Sequence, residues 1–153
     1  ASAELYGLEA EGRFEFALNS DLTKSIFVSI NGSYIESEVD DLDGKRALQG
    51  QPDYTANLII GYDDIENSHE FTILLNQNGD SIKDVGDVDL ADLIEESRLD
   101  VKINYKYHVN DNLVVKASVD NLFDDEFEFT EGGRVFQSYT KGVEFQLGVD
   151  WKF

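Results

Sequence analysis

The chain has 153 residues, with 12 lysine and arginine residues against 32 aspartate and glutamate residues, and a formal net charge of -20. Such a charge repels phosphate backbones, and because the few cations are scattered, a nucleic-acid partner is excluded. The chain has no cysteine, so disulfides, thiolate ligands and thiol nucleophiles are excluded too. No apolar run approaches the ~18 to 20 residues that a membrane helix needs, but a membrane β-barrel remains possible because its strands are only half apolar.

Apolar and polar residues alternate along most of the chain, which is typical of strands with one apolar and one wet face. In chain order the alternation predicts seven strands: Tyr6–Leu18, Ile26–Ile35, Tyr54–Tyr62, Glu70–Asn78, Leu99–Tyr107, Leu113–Val119 and Val143–Phe153. The only helical candidate is Val88–Arg98, which would form one or two turns inside a loop. The sequence therefore predicts an all-β fold.

The connections between these strands alternate in length. Residues 19–25, 63–69 and 109–111 form short turns, whereas residues 36–53, 79–97 and 122–139 form long loops. This predicts an antiparallel up-and-down meander of about seven long strands with all long loops at one end, as in the wall of an outer-membrane barrel. A strand of about 10 to 12 residues, tilted by ~40°, also rises roughly 25 to 30 Å, the height of the apolar band of such barrels.

Alternation alone describes a soluble barrel or sandwich equally well, with the apolar face turned inward. Strand length, loop asymmetry and the ending Trp151-Lys152-Phe153 favour the membrane. Aromatic residues also gather toward both ends of the strands, as in the interfacial girdles of membrane proteins. The aromatic last strand resembles the signal that outer-membrane assembly machinery recognises, so Trp151 and Phe153 are predicted to form an assembly signal.

Short motifs in a fixed order resemble the C-terminal β-barrel segment of TonB-dependent outer-membrane receptors. The motifs span the chain: Gly7-Leu8-Glu9-Ala10-Glu11, Asn31-Gly32-Ser33-Tyr34, Gln51-Pro52-Asp53-Tyr54, Asn121-Leu122-Phe123-Asp124 and Gly148 to Phe153. The resemblance implies an outer membrane of a Gram-negative bacterium and active uptake of a scarce solute: a ferric siderophore, a cobalamin or an oligosaccharide. It also implies four kinds of partner, namely the plug domain and remaining strands of the same barrel, lipid, the barrel-assembly machinery, and TonB acting through the plug.

The chain departs from this family in extent. Receptors of this kind have about 22 strands around a plugged lumen, and an odd count of seven cannot close the usual even-stranded barrel. Residues 1–153 are therefore interpreted as the C-terminal part of a barrel whose plug and other strands lie elsewhere. This part would supply wall, loops and assembly signal.

Few residues of the chain are candidates for a functional site. His69 and His108 flank short turns and are expected to be rim residues, and no arrangement of serine, histidine and aspartate indicates an enzyme. The acidic long loops could hold Ca²⁺, but Asp41-Leu42-Asp43-Gly44 lacks the first and last ligands of an EF-hand loop, so neither metal nor cofactor is predicted. The few cations, amides and phenols near the acidic loops are the candidates for ligand contact: Tyr34, Arg46, Gln49, Arg134 and Gln137.

The same sequence pattern fits two alternatives to the receptor. The chain could be a passive small barrel with a structural role, or a substrate of the barrel-assembly machinery. It could also be a soluble β-barrel that binds a hydrophobic ligand inside.

Overall fold

The computed structural model describes residues 2–41, 44–87 and 90–153. These residues form strands joined by turns and loops. The strands are β1 (Ser2–Ala17), β2 (Lys24–Asp41), β3 (Gly44–Arg46), β4 (Tyr54–Asp64), β5 (His69–Asn78), β6 (Ser81–Asp84), β7 (Leu93–Glu95), β8 (Arg98–Asn110), β9 (Leu113–Asp120), β10 (Phe127–Glu131), β11 (Arg134–Tyr139) and β12 (Glu144–Trp151). The predicted all-β fold is confirmed.

Seven long strands form one antiparallel meander in the order β1-β2-β4-β5-β8-β9-β12, with the short β3 paired to β2 beside this path. This is the predicted topology, and each predicted strand coincides with one of the seven. The first two are longer than predicted, because pairing continues from Ala17 opposite Ser25 to Ser2 opposite Asp40. The polar residues of β2 beyond Ile35 had concealed this extension.

The helical candidate Val88–Arg98 forms no helix in its described residues, 90–98. Leu93–Glu95 form β7 and Arg98 begins β8, while Val88 and Asp89 lie outside the described residues. Leu93 and Ile94 are paired across the sheet with Glu131 and Thr130. Pairing with a strand far along the chain thus prevails over a local helical spacing of apolar residues.

The strand register gives the meander one continuous apolar face. Residues directly opposite each other on neighbouring strands share a face, so a single row can be followed from strand to strand. One such row is Val28, Ile60, Ile73, Ile103, Val119 and Phe145. The opposite face carries mainly polar residues, including Glu11, Asn31, Asn57, Asn76, Asp100, Ser118 and Gln146.

The apolar face of the meander is uncovered. Leu8 on β1 is 79% exposed and Leu147 on β12 is 87% exposed. In the part of the chain that is described, the buried hydrophobic residues are only Ile82, Val101, Phe127 and Phe129. The long sheet therefore encloses no apolar core of its own, and an apolar surrounding is needed to keep this face out of water.

The meander is an open sheet. β1 and β12 are its two edge strands, and neither has a further strand on its outer side among residues 2–41, 44–87 and 90–153. A closed interior lined by apolar side chains, as the soluble-barrel alternative requires, is not formed by these residues. No helix in the described chain is long and apolar enough to cross a bilayer.

A second, small sheet has the order β11-β10-β7-β6, and we call it the loop sheet. β6 and β7 belong to the connection between β5 and β8, and β10 and β11 to the connection between β9 and β12. In an up-and-down meander these connections leave from the same end of the long strands, as does the one between β2 and β4. The predicted placement of the long loops at one end is thus confirmed.

Candidate functional site

All three long connections meet at the loop sheet. The first of them joins through its backbone, because the amide of Gly50 donates a hydrogen bond to the carbonyl of Ile82 (2.8 Å). Gly50 has a φ of +73°, which favours glycine over any residue with a Cβ. The Gln49 side chain adds a second link, since its Nε2 donates to the carbonyl of Lys83 (2.9 Å). The three loops therefore form one connected surface.

An aromatic cluster joins β10 and β11 of the loop sheet. The ring of Phe127 stacks on Tyr139 with centroids 5.0 Å apart and planes inclined by 3°, and Phe129 is 6.2 Å from the same tyrosine. Phe127 and Phe129 are buried, whereas Tyr139 is 41% exposed. The cluster is the local core that holds β10 and β11 together, with one aromatic ring open to solvent.

Two cations converge on this cluster. The guanidinium carbon of Arg98 lies 4.0 Å from the centroid of Phe127, and the Nζ of Lys141 lies 4.2 Å from the same centroid. Both distances are within the range of a cation–π interaction. A third cation, Lys83, lies 5.8 Å from the Phe129 centroid and is also paired with Glu95 (3.2 Å).

The segment Asn121–Asp125 fixes the backbone beside both cations. The Asp124 carboxylate accepts a hydrogen bond from the Gly142 amide (2.8 Å), and the Asn121 side chain donates to the Gly142 carbonyl (2.9 Å). The Asp125 carboxylate accepts from the Leu99 amide (2.8 Å). Lys141 therefore precedes a residue whose backbone is fixed by hydrogen bonds, Gly142, and Arg98 precedes another, Leu99. The carboxylates that fix them, Asp124 and Asp125, are bound to backbone amides.

A row of asparagines crosses the polar face of the meander. Asn57 donates its Nδ2 to the Oδ1 of Asn31 (2.8 Å), Asn76 donates in the same way to Asn57, and Asn78 donates to Asn76 (3.3 Å). Asn57 and Asn76 each donate one hydrogen bond and accept another, so the four side chains form one connected row. It ends at Asn31, which lies opposite Glu11 of the edge strand β1.

The polar face also carries ion pairs, which lie on β5, β8, β9 and β12. They join Lys102 to Asp120 (2.6 Å), Lys106 to Glu70 (2.9 Å) and Lys116 to Asp150, and a hydrogen bond joins the Nε2 of His108 to Glu70 (2.6 Å). Every pair links neighbouring strands, so these bonds brace the polar face. The histidines lie near the short turns as predicted, with His69 stacked on Tyr107 at 4.9 Å.

The turn end of β4 holds the most buried carboxylate of the described chain. The side chain of Asp64 is 7% exposed and lies 3.4 Å from the Lys24 Nζ. Hydrogen bonds from the Asn67 side chain and backbone, with help from Tyr62 and the charge of Lys24, lower the pKa of Asp64 to about 2 against the opposing effect of burial. The same carboxylate raises the pKa of Lys24. This network closes the short turn between β4 and β5.

The five residues predicted to contact ligand fall into two groups. Arg46 on β3 and Gln49 after it belong to the first long connection, and Arg134 and Gln137 both lie exposed on β11 of the loop sheet. Tyr34 lies apart from them, on the apolar face of β2 opposite Leu8 and Tyr54. The structure thus joins four of the five to the loop surface and leaves Tyr34 on the apolar face.

Arg98, Phe127 and Lys141 were missing from the predicted site. They come from the start of β8, from β10 and from the approach to β12, so no local motif joins them. The one signal in the sequence is that cations are few in a chain with a net charge of -20, and that Arg98 and Lys141 each lie at the end of a long acidic loop.

The assembly-signal residues and the acidic loops can also be placed. Trp151 ends β12 opposite Leu113, and its ring is 5.4 Å from that of Phe153. Three or more histidine, aspartate or glutamate side chains close enough for a metal do not occur among the described residues. Leu42, Asp43 and Asp89 of the acidic runs lie outside the described residues.

Comparison with known proteins gives related sequences but no family assignment. No protein-family model matches the chain, and no solved structure matches it significantly. The chain is 28% identical over 153 residues to proteins named iron-regulated outer membrane virulence protein from two strains of Vibrio cholerae serotype O1, a classical and an El Tor strain. The match covers 99% of the chain and 22% of each relative.

These matches and the uncovered apolar face define the class of protein. The chain is an outer-membrane protein chain of a Gram-negative bacterium, built as an antiparallel meander. It spans about a fifth of the length of the relatives that it matches.

Proposed function

We propose that the chain is the C-terminal part of the β-barrel of a TonB-dependent receptor that takes up iron in chelated form across the outer membrane. The observation that carries the proposal is the uncovered apolar face, opposite a polar face, across all seven long strands. Facing lipid on one side and a water-filled lumen on the other is the arrangement of a transmembrane barrel wall. The names of the relatives favour an iron compound over cobalamin or an oligosaccharide.

The open edges of the sheet support the proposal of further barrel strands as partners. Unpaired strand edges are ready to accept further strands, so the remaining strands of the barrel would pair with β1 and β12. The polar face would meet the plug domain, through which TonB acts, and the apolar face would meet lipid. The Trp151–Phe153 end would be handed to the barrel-assembly machinery.

In this mechanism the connected loops capture the solute and the lumen side passes it to the plug. The loop sheet stands at the entrance, and the polar face continues from it along Asp100, Lys102 and Asn104 of β8. The proposal gives the chain a binding and conducting role with no catalytic step.

The test uses the full-length protein in its own host. A deletion strain grown under iron limitation is supplied with radioiron as a hydroxamate or a catecholate complex, and uptake is compared with that of the complemented strain and of a strain lacking TonB. We expect uptake of at least one complex to require both the protein and TonB. Equal uptake in all three strains would refute the proposed function, and TonB-independent uptake that still needs the protein would indicate a passive barrel.

A labelled cobalamin gives the second arm of the same test. Loss of cobalamin uptake with unchanged iron uptake would keep the receptor class and change its solute. As a control for the amount of receptor, each strain is compared by the quantity of folded protein in its outer membrane.

A further inference from the structure

We propose that Arg98, Lys141 and the Phe127–Tyr139 stack form a subsite for an anionic group on the captured solute. The identification of the ligand as part of a captured solute rests on the proposed uptake function, whereas the existence of an anion site does not. Arg98 and Lys141 lie 4.0 and 4.2 Å from one ring centroid, so their charges are within about 8 Å of each other, the screening length of physiological salt. Two like charges are thus concentrated at one point of the loop surface.

Neither cation forms an ion pair within the described part of the chain. No carboxylate of residues 2–41, 44–87 and 90–153 lies within ion-pair distance of Arg98 or Lys141, although six of the lysines in this part of the chain are paired. The nearest carboxylates in sequence are directed to backbone amides instead, since Asp124 accepts from the Gly142 amide and Asp125 from the Leu99 amide. Both cations therefore lie against the Phe127 ring with no carboxylate bound to them, and each can contact an added anion.

The same hydrogen bonds hold the two cations in place. Gly142 is fixed through both its amide and its carbonyl, and Leu99 through its amide, so the residues beside them have little backbone freedom. The buried ring of Phe127 provides a rigid floor. Because the arrangement exists before any ligand arrives, binding an anion loses little conformational entropy.

The location favours a solute over a lipid. Arg98 lies opposite Asn78 and two residues before Asp100, on the polar face of β8. A lipopolysaccharide phosphate would meet the other, apolar face. The partly exposed ring of Tyr139 adds an aromatic contact beside the charges, which suits a negatively charged group carried on an organic molecule.

The first experiment measures anion binding directly and does not depend on transport. The full-length protein is purified in detergent, its lysines are reductively methylated with a carbon-13 label, and the Lys141 resonance is assigned as the one missing from Lys141→Arg. Inorganic pyrophosphate is then titrated in. We expect the Lys141 signal of the wild type to shift saturably as pyrophosphate is added. In Arg98→Gln the dissociation constant for pyrophosphate should rise at least about ten-fold, the loss that removal of one charged contact typically gives. The absence of a saturable shift in the wild type would overturn the anion site.

The second experiment tests the solute. Affinity is measured for a net-anionic ferric tris-catecholate and for a neutral ferric tris-hydroxamate in the wild type, Arg98→Gln, Lys141→Gln and Arg98→Lys. We expect the two glutamine variants to weaken the anionic complex about ten-fold each and to leave the neutral complex unchanged, while Arg98→Lys retains most of the affinity. Lys45→Gln is the matched control, because Lys45 lies on the same rim but is already paired with Glu38 (2.5 Å).

The outcomes separate the two proposals. Equal weakening of both complexes would show that the cluster only supports the fold of the loops and would overturn the subsite. Pyrophosphate binding without binding of either ferric complex would keep the anion site and count against iron uptake. Lipopolysaccharide that copurifies with the wild type and is lost in Arg98→Gln would identify a lipid phosphate as the occupant and overturn the assignment to a solute.

Discussion

The ring of Phe27 occupies the space that a side chain at Gly61 would need. A Cβ built on Gly61 would lie 2.0 Å from Cε1 of Phe27, far closer than two carbon atoms can approach. The two residues are direct partners on β2 and β4, and the Arg13 guanidinium lies 4.5 Å above the same ring. A bulky ring thus fits on the polar face because its neighbour has no side chain.

This relationship predicts the effect of Gly61→Ala. The added methyl group must displace the Phe27 ring and its contact with Arg13, and we expect a loss of about 1 to 3 kcal/mol in the free energy of unfolding. The measurement is urea unfolding of the full-length protein in detergent, followed by the shift in gel mobility between its folded and unfolded forms.

Gly148→Ala is the control for this prediction. Gly148 also lies on the polar face, but a Cβ there has only the Lys116 Cβ within 4 Å, at 3.9 Å. We expect no loss of stability. Similar losses for both glycines would point to a general intolerance of side chains on this face rather than to Phe27.

Asp64 predicts a specific loss of stability in acid. Its pKa is lowered to about 2 in the folded protein, whereas an unfolded aspartate has a pKa of about 3.9. A carboxylate with a lowered folded-state pKa contributes stability above the unfolded pKa and loses it as the pH falls through the folded one. We therefore expect the stability difference between the wild type and Asp64→Asn to be full above about pH 4 and to disappear near pH 2.

The measurement is the urea midpoint of both proteins across this pH range. Glu66→Gln removes the same charge at a side chain that is 65% exposed and 3.7 Å from the Lys24 Nζ. It should change the midpoint little at any pH. A difference between wild type and Asp64→Asn that stays constant from pH 7 to pH 2 would contradict the prediction.

The sequence predicted the long strands because each one has a period of two over many residues. The same alternation within the predicted strands puts Asn31, Asn57 and Asn76 on their polar sides, but it cannot show that the three form one hydrogen-bonded row. That alignment depends on register, which is set by pairing between strands. Side-chain period and strand pairing are separate pieces of information, and a single sequence gives the first more readily.

The loop sheet could not be predicted for a related reason. β6 and β7 have only four and three residues, too few for a period to be recognised, and β7 pairs with β10 more than thirty residues away. The contact of Arg98 and Lys141 with Phe127 follows from this long-range pairing. Sequence reasoning therefore found Gln49 and Arg134 as loop residues and missed the point where two cations meet.

The apolar face predicts how substitutions on β12 affect folding in a bilayer. Leu147 lies near the middle of the strand and is 87% exposed. If this face meets lipid, Leu147→Arg should cost about 2 to 4 kcal/mol, the range for an arginine at the bilayer midplane. The quantity to measure is the free energy of folding of the full-length protein into phospholipid vesicles.

The neighbouring residue provides the control. Gln146 lies on the polar face, where its side chain donates to Glu144 (2.9 Å), so an arginine at this position would meet a carboxylate. Gln146→Arg should therefore fold almost as well as the wild type. If the two variants lost the same amount, or if Leu147→Arg lost nothing, the assignment of this face to lipid would be wrong.

The aromatic end of the chain predicts an effect on assembly rather than on stability. Phe153 is fully exposed and touches Trp151, with ring centroids 5.4 Å apart, so its removal deletes little packing within the sheet. We expect deletion of Phe153 to reduce the amount of folded protein in the outer membrane of cells several-fold. The purified variant should still fold into vesicles as well as the wild type does, because no assembly machinery acts there.

A matched substitution is Phe123→Ala, which removes an exposed aromatic ring in the turn after β9 and should leave assembly in cells intact. Equal losses in cells and in vesicles would show that Phe153 acts through stability, and an unchanged yield in cells would exclude it from the signal.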